Sequence, residues 1–199
     1  MLAQTLAAVA TLVSFAVHGN RVEFTLDRGS AELTWVSART FRFRRTLEGP
    51  LPEIAWESPN AVEVKIDETP FGVRLRSKSI EVTILKRGLL VSVHGPDGAP
   101  LMSDLSEPRA EGEGIVWDRA TQAGVRFYGL GRRTDLDYDR SGHTKDAEMP
   151  FLMSTAGYGE RMMGSGGFRF DFTQADRYRI QGPRVDYFFY QGAHTKTQD

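Results

Sequence analysis

Arg126-Phe127-Tyr128-Gly129-Leu130-Gly131-Arg132-Arg133, followed after a polar interval by Met149-Pro150-Phe151-Leu152-Met153-Ser154-Thr155-Ala156-Gly157-Tyr158-Gly159, reads as two strands bracketing an acidic loop. Glycines stand where the backbone has to turn sharply or come close to another surface, because a residue without a Cβ meets no clash there. A ligand is expected to meet the chain at the loop held between these strands.

Outward from this stretch, apolar residues recur with a period of two. Val22, Phe24 and Leu26 do so, as do Leu33 and Trp35, then Val62, Val64 and Ile66. Ile80, Val82 and Ile84 follow, then Leu89, Val91 and Val93, and later Phe168, Phe170 and Phe172. This is the period of a strand with one buried face. Between the runs lie turn formers, among them Gly19-Asn20, Asp27-Arg28-Gly29-Ser30, Gly95-Pro96-Asp97-Gly98, Ser165-Gly166-Gly167 and Gly182-Pro183. Past position 20 no segment of ten or more residues keeps a helical face, which argues against crossover helices and a parallel nucleotide-binding sheet. Many short strands joined by tight turns predict an all-β fold, an antiparallel β-sandwich. Leu47 to Pro59 and Ser103 to Gly114 read as longer loops. Val185-Asp186-Tyr187-Phe188-Phe189-Tyr190 barely alternates and reads as a central strand covered on both sides. One of its aromatic faces would alternatively pack on a neighbouring domain.

The 199 residues, 40% apolar and 26% charged, suit one sandwich-sized domain. Lysine plus arginine, 25, nearly cancels aspartate plus glutamate, 26, so no net field draws the protein to nucleic acid or to an anionic membrane. The absence of cysteine excludes disulfides, thiolate nucleophiles and cysteine zinc sites, and favours a reducing, cytoplasmic compartment without fixing one. Met1 to Val17 carries no charge. A secretory signal is disfavoured there because no Lys or Arg precedes Arg21. The run is also shorter than the ~20 residues that cross a bilayer. It is expected to be a buried structural segment.

Tests for chemistry mostly exclude. Gly129-Leu130-Gly131-Arg132-Arg133-Thr134 lacks the third glycine and the following helix of a dinucleotide fingerprint. No G-x-S-x-G elbow and no Walker sequence occurs. Asp135, Asp137, Asp139 and Asp146 have the spacing of calcium-loop ligands, but Arg140 stands where that loop needs glycine, so no metal is expected. His18, His94, His143 and His194 are dispersed, and only His143 lies in the acidic loop. Adjacent aspartates on one loop do not face each other across a sugar as a glycosidase pair must. They suit hydrogen bonding to hydroxyls better.

Phe127-Tyr128-Gly129-Leu130-Gly131 resembles a motif of the N-terminal β-sandwich domain of family 31 glycoside hydrolases, the α-glucosidase and α-xylosidase group, with Arg132 where that family usually has glutamate. Pro150-Phe151-Leu152-Met153-Ser154, Gly157-Tyr158-Gly159, Asp176-Arg177-Tyr178-Arg179-Ile180 and Asp186-Tyr187-Phe188-Phe189-Tyr190-Gln191-Gly192 are similar to the strands that follow in it. The matching stretch runs over about residues 115 to 192; the first hundred residues match only in pattern.

The resemblance implies a supersandwich of the galactose mutarotase-like kind spanning residues 1–199. Residues 191–199 would then begin the linker to a (β/α)8 catalytic barrel absent from this chain, the barrel of a retaining α-glycosidase. The barrel's tryptophan-x-aspartate-methionine segment has no counterpart among Trp35, Trp56 and Trp117. By the same resemblance the loop after the glycine motif leans over the barrel mouth, where Asp146 would contact an α-glucoside or α-xyloside with Tyr138 and His143 as neighbours. No catalytic residue and no cofactor is implied. The expected function is that of a noncatalytic domain supporting the barrel and shaping its substrate entrance. The alternatives are an independent carbohydrate-binding module, a mutarotase-like epimerase, for which no convincing acid and base pair is visible, and a purely structural interaction domain. Without the barrel, the aromatic last strands are expected to leave an apolar patch through which the domain self-associates.

Overall fold

The computed structural model describes residues 9–54, 61–131, 139–147, 149–164 and 167–192. Among them there is no helix, and every strand pairing is antiparallel. The largest sheet has eight strands in the spatial order β1 (Leu12–His18), β2 (Arg21–Leu26), β3 (Ser30–Ser37), β4 (Thr40–Arg45), β18 (Val185–Gln191), β15 (Tyr158–Met162), β14 (Phe151–Ser154) and β12 (Phe127–Gly129). Two five-stranded sheets accompany it. One runs β5 (Lys65–Thr69), β6 (Gly72–Arg76), β7 (Glu81–Leu85), β8 (Val91–His94), β9 (Pro100–Ser103). The other runs β10 (Arg109–Glu111), β11 (Gly114–Ala120), β17 (Arg177–Gly182), β16 (Phe168–Asp171), β13 (Thr144–Ala147).

The period of two becomes layers. In β2, Val22, Phe24 and Leu26 are buried while Arg21 and Thr25 are exposed. The register sets Val22 beside Leu33 and Phe24 beside Ala31, then Leu33 beside Phe43 and Trp35 beside Phe41. Phe43 and Phe41 in turn meet Tyr187 and Phe189 of β18. This apolar row faces Val73, Leu75, Val82, Ile84, Val91 and Val93 of the first small sheet and Trp117, Phe170, Tyr178 and Ile180 of the second, in a single core. The small sheets are stitched to each other by a bridge between Asp104 and Arg119. The strand Val185 to Tyr190 is central, as its composition predicts, lying between β4 and β15. Its two faces differ: Val185, Tyr187 and Phe189 are buried, whereas Phe188 and Tyr190 are only half-buried.

Two other expectations are corrected. Strand β5 begins at Lys65, so Val62 and Val64 precede it and pack on the core from an irregular segment. The early apolar run is not a buried segment over its described part. Ala10 and Leu12 are buried, but Val13 is 66% and Val17 48% exposed, because β1 is the edge of the large sheet and only one side of it meets the core.

The core also holds charge. Arg119 of β11 and Glu160 of β15 are fully buried and ion-paired across the layers. The Tyr178 hydroxyl donates to Glu160 Oε2 at 3.0 Å and lies 3.2 Å from the Tyr158 hydroxyl. Arg119 lies 4.5 Å above the Tyr187 ring, with its Nε 3.4 Å from Asp104 Oδ1. Burial pushes the Glu160 carboxyl up against the pull of Arg119, and pushes Asp104 up likewise. For Arg119 burial works against the charge, but the facing carboxylates outweigh it and its pKa rises. One cation serves two buried carboxylates here.

Candidate functional site

The glycine motif ends β12 with three successive left-handed residues, Gly129, Leu130 and Gly131, at φ 96°, 65° and 93°. A Cβ on Gly129 would lie 2.3 Å from the Phe151 carbonyl oxygen, so this position admits only glycine without movement of β14. Leu130 has no such freedom. It adopts the strained conformation while its side chain is buried at 1% exposure and its N–H donates to the Phe151 carbonyl at 2.9 Å. Core burial holds a backbone geometry that costs a leucine roughly 1–2 kcal/mol.

Arg140 closes the other end of the segment that follows. Its guanidinium, on a buried residue, donates from Nε to the Gly129 carbonyl at 2.9 Å and from Nη2 to the Gly131 carbonyl at 3.3 Å. Its backbone N–H donates to the Phe127 carbonyl at 2.7 Å. Beside it Asp139 Oδ1 accepts from the Ser141 N–H at 3.0 Å and the Ser141 hydroxyl at 2.8 Å. Partial burial would raise its carboxyl, but the Ser141 donors prevail and hold it below the usual carboxylate range. Gly131, Asp139 and Arg140 are thus fastened beside the same strand. Tyr138, Asp135 and Asp137 lie outside the described residues.

In the sequence Arg140 is notable only for standing where a calcium loop needs glycine; its place as a carbonyl-binding clamp was not legible, since nothing in the pattern says which arginine turns inward. The same holds for Arg119. Glu160 lies at an inward position of a strand whose alternation, with Tyr158 and Met162, is a detectable signal.

From Arg140 the chain crosses to the second small sheet. His143 is exposed; its N–H donates to the Arg140 carbonyl at 3.1 Å and its carbonyl accepts from the Phe172 N–H at 2.9 Å. Asp146 is on β13, a strand at the edge of that sheet, and not on a loop. Its register partner is Arg169 of β16, whose Nη1 is 3.8 Å from Asp146 Oδ1, and its side chain is 83% exposed. Asp146 borders an open groove of about 560 Å³ with Glu113, Phe168, Arg169, Gln181 and Pro183. His143 is not among the residues lining it. The carboxylate, guanidinium and amide groups there can hydrogen-bond a hydroxyl-rich ligand, whereas the Phe168 ring is buried in the core and gives it no face to stack on. Asp139, bound to its own turn, and Asp146, on a strand of the other layer, are not presented together as calcium-loop ligands would be.

The large sheet beside two smaller ones, with a glycine-bent edge at β12, is an arrangement shared with known proteins. The chain superimposes on a GH31 dextranase from Flavobacterium johnsoniae, solved in complex with isomaltotriose, at a TM-score of 0.80 and 18% identity, over 93% of this chain and 26% of the dextranase. A GH31 α-xylosidase from a soil metagenome, complexed with xylose, gives 0.78 and 17% over 92% of this chain and 32% of its own. The chain has the fold of one segment of family 31 glycoside hydrolases. The α-1,4-glucan lyase of Gracilariopsis lemaneiformis gives 0.70 and 12%, over 93% of this chain and 28% of the lyase. The chain therefore spans only a quarter to a third of the length of these enzymes. No family model matches the sequence, and no curated protein sequence does. Since a dextranase, a xylosidase and a lyase all carry this segment, the fold alone selects no reaction.

Proposed function

We propose that the chain is a noncatalytic N-terminal domain of a family 31-like glycoside hydrolase, supporting a catalytic barrel and contributing the region around Asp146 to the carbohydrate entrance. The observation that carries this reading is the match of nearly the whole chain to a fraction of several carbohydrate-active enzymes. The chemistry of the described surface agrees with an accessory role. Its most buried acid, Glu160, is locked to Arg119 inside the core, out of reach of any substrate. Of the acids on the open groove, Asp146 is solvated and paired with Arg169, an arrangement for hydrogen bonding.

The test has two arms. The 199-residue chain, incubated with aryl α-glucosides and aryl α-xylosides, is expected to release no phenol above the uncatalysed rate. In the longer polypeptide, Asp146→Asn is expected to raise KM several-fold and leave kcat nearly unchanged, as loss of a binding contact does. Turnover by the short chain that Asp146→Asn abolishes would overturn the accessory reading.

A further inference from the structure

The outer face of the eight-stranded sheet is divided in two. Over β2, β3 and β4 it is polar and internally paired. Arg21 lies 3.1 Å from Glu23, Arg44 lies 3.4 Å from Glu32, and Arg42 holds Asp186 through two contacts of 2.8 Å. Over β18, β15, β14 and β12 the same face presents Tyr128, Phe151, Met153, Arg161, Phe188 and Tyr190. The registers place Phe151 beside Arg161 and Arg161 beside Phe188, while Tyr128 lies beside Met153. Phe151 meets Tyr190 edge-on at 6.0 Å, and Tyr190 stacks on Phe188 at 6.1 Å. Gly159 makes this possible, since a Cβ there would lie 3.2 Å from the Phe151 ring. The Phe151 ring therefore lies close over Gly159. Phe151 is 37% and Met153 45% exposed, and Met149 at the rim 64%. Arg161 is exposed in the middle of the patch, and it makes no hydrogen bond or ion pair with any described residue.

Tyrosine, phenylalanine, methionine and arginine are the residue types enriched at the centres of protein interfaces, and lysine, glutamate and aspartate are depleted there. This half of the face holds only the former apart from Asp186 of β18, which is buried and held by Arg42. A second copy related by a two-fold axis is a poor occupant, because it tends to bring Arg161 towards another Arg161 without a carboxylate between them. We infer that this face docks a folded protein surface bearing a carboxylate ringed by apolar side chains, the carboxylate meeting Arg161, and that the surface belongs to the catalytic portion of the same longer polypeptide. The inference rests on the functional reading above for the identity of that portion. The exposed charge of Arg161 within an apolar patch, and a chain that covers about a quarter of the matching enzymes, argue for it.

Methionine oxidation by hydrogen peroxide reads the face directly, since Met149 and Met153 are exposed and Met102 and Met162 are buried at 3% and 2%. In the 199-residue chain the two exposed sulfurs are expected to oxidise on the order of tenfold faster than the buried pair. In the longer polypeptide their rates are expected to fall by about tenfold, and Arg161→Glu to restore them there while changing nothing in the short chain. Equal rates for Met149 and Met153 in both polypeptides, or protection in the short chain that grows with its concentration, would overturn the proposal; the second result would mean a second copy covers the face. Protection indifferent to Arg161→Glu would remove the carboxylate. Hydrolysis of aryl α-glycosides by the longer polypeptide is read in parallel. Activity without protection sinks the docking face alone, and protection without activity sinks the functional reading alone.

Discussion

Arg119 shows what a single residue decides in this protein. It neutralises buried carboxylates from two other parts of the chain, Glu160 of β15 and Asp104 beyond β9. Removing one member of such a group leaves uncompensated charge in the interior, which costs far more than the intact group contributes. Arg119→Met is therefore expected to lower stability by about 3–5 kcal/mol, measured as a shift of the urea midpoint. Arg119→Met with Glu160→Gln should recover part of the loss. The pH dependence follows from burial raising the Asp104 carboxyl. A carboxyl whose folded pKa lies above its unfolded value contributes stability that is fully present below the unfolded value and is lost as pH climbs through the folded one. Asp104→Asn removes that loss and keeps an acceptor for the Val91 N–H, now at 2.9 Å. Its cost relative to the native chain should shrink between pH 4 and pH 8, and a cost that grows would show Arg119 to dominate Asp104. Leu130→Gly weighs two effects of known size. Relief of the left-handed backbone returns roughly 1–2 kcal/mol, whereas loss of a buried leucine costs more, roughly 2–5 kcal/mol. Net destabilisation is expected.

At the scale of elements, glycines set how the strands pack, and two kinds can be told apart. Gly129 and Gly72 lie against backbone, with carbonyl oxygens 2.3 and 2.1 Å from where a Cβ would be. Gly124 has a positive φ of 82° but nothing within 4 Å. Gly129→Ala should cost at least ~2 kcal/mol, since strand β14 must shift as well as the dihedral strain. Gly124→Ala should cost only about 1 kcal/mol. Equal costs for the two would show that dihedral strain, and not the approach of β14, demands glycine in the motif. The runs of period two were legible in the sequence because burial on one face requires them. The place of Asp146 on a strand was not. Thr144-Lys145-Asp146-Ala147 has no apolar alternation, and it is a strand because β16 offers it a free edge.

At the scale of the whole molecule, layering separates an interior built for stability from a surface that can be specialised. The 199-residue chain should unfold in one cooperative step, since all three sheets share a single core. A thermal scan with two resolved transitions would show that the small sheets fold independently. The divided outer face is the clearest feature of this scale. Phe151 and Arg161 come from the consecutive strands β14 and β15 and Phe188 from β18 further along the chain, and the registers set them in one row.

The amino-acid order by itself determined that this protein is all-β, which residues of the alternating runs face inward, and where the backbone must bend at Gly129 and Gly131, because side-chain alternation and positive φ are local demands that residue types answer locally. Tertiary structure decided which arginines turn inward, that Asp146 stands on an edge strand, and that one half of a sheet face is aromatic around Arg161. Those outcomes depend on which strands become neighbours, and pairing between distant strands is set by the closing of the whole core.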